Sequence, residues 1–284
     1  MIRALAVILV LCGIFLFPLK AFGAYDPPLD QVYLYVDTEG GMRPPLYDLA
    51  KVPRFCLYRS GEVLYSFYNE REGRNVLMKG SLETKECEEL ISFFKSKGLD
   101  DWSESYEDCP LKDMPTTKII LNLGNGDIRR INIAGLEYAM KQKTIPEGLI
   151  QSYRKIQFFS LPSAVEYAPE KIVLFVKKVP EEPKGPGVRI HKWGSKIDLA
   201  PLASEAGLSG YGSVSLEGKN AKNTVRDLKE KVLFSKPEYA VYFKQGKAFY
   251  SLGYRPMLLH EYDRTEKKEK KKPSKKEEPP KKEE

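Results

Sequence analysis

Few residues in this chain have the type and spacing that chemistry demands. His191 and His260 are the only histidines, and neither has a His or Cys neighbour at ligand spacing. His260 in LLHEYD stands near Glu261 and Asp263, but that run reads better as a solvated domain end. Ser-His or Cys-His catalysis would have to recruit one of these two histidines from afar. Neither G-x-S-x-G nor H-E-x-x-H occurs. Gly124 and Gly126 mark a hairpin rather than a phosphate cradle. The carboxylate pairs Asp100-Asp101 and Glu88-Glu89 fall at helix-end and loop positions where such pairs are common. A hydrolase of cell-envelope polymers built from unmarked carboxylates is the enzyme alternative. No catalytic, cofactor-binding or metal-ligating residue is expected, and no cofactor.

Two resources remain. Cys56, Cys87 and Cys109 follow the leader described below, and an odd count in an oxidising compartment allows one disulfide and one free thiol. Cys87–Cys109 is the preferred pair, since it would staple a helix to the loop after it. The competing reading makes Cys87 a core residue, because it shares a helical face with Leu90, Ile91 and Phe94. The 17 Tyr and 2 Trp could stack a sugar or a peptide. Strand alternation puts about half of such residues on a core face, so they read first as sheet residues.

The elements that would position these groups centre on Pro53 to Leu136. Phe55–Arg59 and Glu62–Phe67 form a hairpin turning at Ser60-Gly61. Val76–Lys79 is a short third strand. A helix follows, N-capped at Thr84, acidic at its start and stopped by Gly98. Trp102 and Tyr106 lie in a loop. Pro110 and Pro115 keep Cys109 to Pro115 out of a helix. Strands 117–123 and 127–133 join at Gly124-Asn125-Gly126. Because Pro115 cannot donate to a ladder, the first of these starts at Thr116 or Thr117. Asp113 is expected to accept a backbone N–H there in an Asx-type turn.

Outside that centre, 31–36 is a strand, and Gly40-Gly41 with Pro44-Pro45 mark a loop. Thr144-Ile145-Pro146-Glu147 reads as a capping box. Lys171–Val176 is a strand, and Pro180 to Pro186 is the best internal linker. Beyond it come a strand at 188–193, a short helix capped by Asp198 and ended by Gly207, a strand at 211–216, a helix at 224–233 and a hairpin of 239–243 with 247–254. Pro53-x-Phe55-x-x-Tyr58 and Pro237-x-Tyr239-x-x-Tyr242 open similar hairpins, which raises a duplicated module against mere shared β-preference. The fold class is α+β: antiparallel sheets with a few packed helices, in two related modules. The divisions are 1–23 leader, 24–180 α+β domain, 187–263 smaller α+β module and 264–284 tail.

The two ends give the address. Arg3, the apolar run Ala4–Leu19 and the small residues Ala21 and Gly23 form a secretory signal cleaved near Gly23-Ala24. The run falls short of the ~20 apolar residues of a span, and a retained anchor is the alternative. After Tyr262 no aliphatic or aromatic residue occurs, so the Lys/Glu/Pro tail is expected to be disordered. It carries +4 and the leader +2 of the net +7, leaving +1 for residues 24–263. The basic balance therefore belongs to the ends and argues against nucleic acid. The tail is a solvated spacer, with weak contact to an anionic surface as the alternative.

Phe55, Leu57, Tyr58, Gly61, Val63 and Tyr65 give F-x-L-Y-x-x-G-x-V-x-Y, and Tyr106, Asp113, Pro115, Thr116 and Thr117 give Y-x(6)-D-x-P-T-T. In this order, with a helix between, the chain resembles a loose group of exported bacterial proteins of unknown function. Tyr254 to Glu261 is similar to the R-P-L-L-P-x-E endings of longer members, with Leu259 where they have proline. The resemblance implies export and an α+β fold and supplies no catalytic residue. The expected role is non-enzymatic binding, periplasmic or extracellular, with a partner in the envelope or outside the cell.

Overall fold

The computed structural model describes residues 27, 29–42, 45–69, 74–204, 210–229, 240–259 and 261. The leader, the tail, Gly207, Tyr239 and His260 lie outside these. The fold is α+β, with two mixed sheets.

The larger sheet uses β1 (Val32–Glu39), β2 (Phe55–Tyr58), β3 (Glu62–Asn69), β4 (Arg74–Ser81), β5 (Ser105–Tyr106), β6 (Thr116–Gly124), β7 (Asp127–Ala134) and β8 (Val165–Glu166). Their order is β5-β7-β6-β1-β2-β3-β4-β8, antiparallel except for β5 against β7. Helix α1 (Pro45–Ala50) follows β1 in the chain but packs on the second sheet, while α2 (Thr84–Ser96), α3 (Leu136–Gln142) and α4 (Glu147–Gln157) belong to this one. Alternation decides the faces. Leu34, Val36, Phe55, Leu57, Val63, Ile119 and Leu121 point to the side that α2, α3 and α4 cover. Tyr35, Cys56, Tyr58, Leu64 and Ile120 point to the other. Helix α2 and helix α4 approach closely: a Cβ on Gly148 would strike the Lys97 carbonyl.

The smaller sheet uses β9 (Lys171–Val179), β10 (Val188–Lys192), β11 (Gly212–Glu217), β12 (Ala240–Gln245) and β13 (Ala248–Pro256), ordered β10-β12-β13-β9-β11. Helices α5 (Leu199–Ser204) and α6 (Gly218–Leu228) flank it. Asp198 caps α5 as expected, accepting the Ala200 N–H at 3.1 Å.

Several expectations need correction. Strand β9 pairs with β13 and β11, so the change of sheet falls between Glu166 and Lys171, not at Pro180–Pro186. That proline-rich stretch is a loop inside the second sheet. The two hairpins are not copies in register: Tyr65 pairs with Phe55, but Tyr250 pairs with Phe243. Their neighbours differ too, since β12 is flanked by a parallel strand. Helix α2 is capped by Glu83 rather than Thr84, with the Glu83 N–H donating to Glu86 Oε2 at 2.7 Å. Helix α4 begins after Pro146, so the Thr144 box does not form. Helices α1 and α3 were not expected.

Among the described residues Cys56, Cys87 and Cys109 are all free. The Cys87–Cys109 bridge is not formed, because Cys87 turns into the core while Cys109 packs against Gly135. Asp113 is exposed at φ 58°. Among the described residues its carboxylate accepts no hydrogen bond, so its part is the left-handed turn rather than an Asx bond. Tyr106 accepts the Ser103 N–H at 2.9 Å.

The far face of the larger sheet is closed from the second. Leu258 packs beside Val32, Tyr35 and Tyr58. Arg255 grips Glu261 at 2.6 and 2.7 Å, and Glu261 also accepts the Leu258 N–H at 2.7 Å. Arg255→Met strands a carboxylate that is only 10% exposed and should cost about 2 kcal/mol, less than a fully buried pair because Arg255 is partly wet. Urea melts measure it. Burial also pushes the Cys56 thiol up to about 12 from 9.0, opposed by a Tyr58 hydrogen bond, and raises the Tyr35 and Tyr58 phenols. The folded state holds these protons more tightly than the unfolded one. The stability they contribute is present below pH 9 and lost as pH rises toward 12. Melts across that window should show the fall, and a smaller one in Cys56→Ala.

Candidate functional site

A gap in the larger sheet makes the site. Strand β2 is short, and Pro53 lies just before it. Its neighbours β1 and β3 run on past it: β1 pairs with β2 only as far as Val36↔Phe55, and β3 only as far as Phe55↔Tyr65. Continuing the β1 register would set Thr38 against Pro53, which has no N–H to give. The Lys51 ammonium takes that place and donates to the Thr38 carbonyl at 2.7 Å. The Thr38 N–H donates to Asp37 Oδ1 at 2.7 Å. Lys51 also pairs with Asp37 Oδ2 at 2.9 Å, and Tyr35 donates to the same oxygen at 3.2 Å. The β1 side of the gap is thereby satisfied, and Asp37, 6% exposed, is fully engaged.

The space left between β1, β3 and the end of α4 is a cleft of about 1370 Å³. Its floor carries Arg54 and Tyr153. The guanidinium carbon stands 5.7 Å from the Tyr153 ring centroid. No carboxylate among the described residues pairs with Arg54, and its Nε has no acceptor. Burial raises the Tyr153 phenol above its usual range, with Arg54 opposing and Glu137 adding. The rim is aromatic. Phe67, Tyr68 and Phe158 line it at 45%, 56% and 75% exposure. Phe159, next to Phe158, turns inward and meets Phe55 and Tyr65 edge to face.

The expected structural motif reaches this place in part. Pro115 and Thr117 line the cleft, and Thr117 Oγ1 lies 3.5 Å from Thr38 Oγ1. Thr116 opens β6, and Asp113 and Tyr106 stay outside. Sequence reading missed Lys51, Arg54, Phe67, Tyr68 and Phe158. Two signals could have found them. A proline before a strand whose neighbours are longer implies a gap. The doublets Phe67-Tyr68 and Phe158-Phe159 cannot both bury their rings on one face. Among the described residues no cluster of His, Cys, Asp and Glu could hold a metal ion.

The arrangement separates two cations. Lys51→Met should lose about 2 kcal/mol, since Asp37 would stay buried without its ion partner. Arg54→Gln should lose less than about 1 kcal/mol, the value of a cation–π contact. Chemical denaturation of both variants tests the contrast; equal losses would make Arg54 a structural residue. No protein family, curated protein or solved structure matches the chain, so the cleft has to be read from its own residues.

Proposed function

We propose that this is an exported binding protein that acts without catalysis and takes its ligand in the cleft at the end of β2. One observation carries the reading. Of six large apolar side chains exposed among the described residues, Phe67, Tyr68 and Phe158 gather around this one cleft. Exposed rings cost free energy unless a partner covers them, and a concentrated set marks a contact surface. An unpaired guanidinium beneath them supplies orientation. Binding is favoured over hydrolysis because Asp37 is held by Lys51, Tyr35 and the Thr38 N–H, which leaves Glu137 without a free second carboxylate among the described residues lining the cleft. Export rests on the leader, and the Lys/Glu tail serves as a spacer from the envelope.

Immobilised protein should retain material from cell-envelope and culture fractions. Phe158→Ala combined with Phe67→Ala should lose that material while melting close to the parent. Equal retention by parent and variant would place the ligand elsewhere and sink the reading.

A further inference from the structure

The occupant of the cleft can be narrowed from the hydrogen bonds of the gap, granted that the cleft is the ligand site. Alternate β3 residues turn their main-chain groups toward β2, and the Ser66 N–H donates to the Arg54 carbonyl at 2.8 Å. Tyr68 is the next residue on that side. Its register partner would be Val52, but the β2–β3 ladder has already ended. On the other side of the gap Lys51 and Asp37 have satisfied Thr38. Among the described residues nothing bonds the Tyr68 main chain on that side, so the gap has one closed edge and one open edge, the latter at Tyr68.

We infer that the cleft takes an extended segment of a partner protein, added as a strand against Tyr68 and held at an acidic group by Arg54. A strand added there extends the ladder past Pro53 and satisfies the Tyr68 N–H and C=O. Its alternate side chains meet Phe67 and Phe158 on the helix side and Tyr68 on the other. A carboxylate from the segment answers the guanidinium, which has a planar fork suited to it and no carboxylate bonded to it among the described residues. The volume, about 1370 Å³, exceeds the ~300–1,000 Å³ of ordinary small-molecule sites and fits a peptide strand. The chain's own tail is a poor occupant, because residues 264–284 have carboxylates but, apart from three prolines, no aliphatic or aromatic side chain to meet the rings.

The test uses the full chain and pools of short labelled peptides, read by fluorescence anisotropy. One set ends in a free carboxylate, one in an amide, and one in an amide with Asp or Glu at scanned positions. Enriched pools should need one acidic group, and the sets show whether it is the terminus or a side chain. Arg54→Gln should weaken the selected peptide by about tenfold or more, and Arg54→Lys by less, as a charge-assisted hydrogen bond requires. N-methylation at alternate peptide amides should weaken binding only where the strand faces Tyr68. Binding indifferent to Arg54 or to N-methylation overturns the inference. So does an empty screen in which envelope polysaccharide is retained instead. If no peptide binds while the Phe67→Ala, Phe158→Ala protein still loses native material, the peptide class falls and the cleft stands. If the variant retains that material, both fall.

Discussion

Pro53 is the constraint on which the site depends. A central strand flanked by longer neighbours has to end somewhere, and Pro53 fixes where, because it cannot donate to the ladder. Everything at that end of the sheet follows from the missing donor. Thr38 needs a substitute, and Lys51 supplies it at 2.7 Å. The ammonium so placed needs a counter-charge, and Asp37 supplies that at 2.9 Å. A buried ion pair of this kind does little net stabilising, but removing either partner is expensive. The pair thus holds the gap open in one shape rather than making the fold more stable.

The two cations of the cleft illustrate how charge sorts structural from recognition residues. Lys51 meets a carboxylate and a carbonyl, so its charge is paired within the chain. Arg54 meets a ring and no carboxylate among the described residues. Both lie within four residues of each other in sequence, and composition cannot tell them apart. Only the path of β1 beside one, and of α4 beside the other, does so.

Local signals made much of the fold legible. Strand alternation located nearly all the strands, because their apolar faces are regular. Acidic starts and glycine stops located α2, whose Gly98 sits at φ 87°. Helices α1 and α3 were hidden by being one to two turns long. In α1, Pro45 read as a loop marker although proline suits the first helical position. In α3, Gly135 precedes the helix in a left-handed conformation, φ 56°, and masked its start. The change of sheet was illegible for a different reason. Strand β9 finds its partner in β13, whose residues 248–256 follow an intervening strand, two helices and two further strands, and no local pattern records that pairing. The Cys87 choice turned on the same point: its helical face was visible, but the place of Cys109 against Gly135 was not.

The second sheet also reaches the cleft. Helix α1 packs on β13 and β9. Leu46 of α1 fills the space over Gly253, where an added Cβ would meet Leu46 Cδ1 at 2.5 Å. Five residues after Leu46 the chain delivers Lys51 to Thr38 and Asp37. The position of Lys51 is therefore set from both ends, by the β1 groups it bonds and by a helix seated on the other sheet. A glycine in β13 gives up side-chain packing and strand stability, and here it does so to let α1 sit close. Helix α1 thus links the smaller sheet to the closed edge of the gap in the larger one.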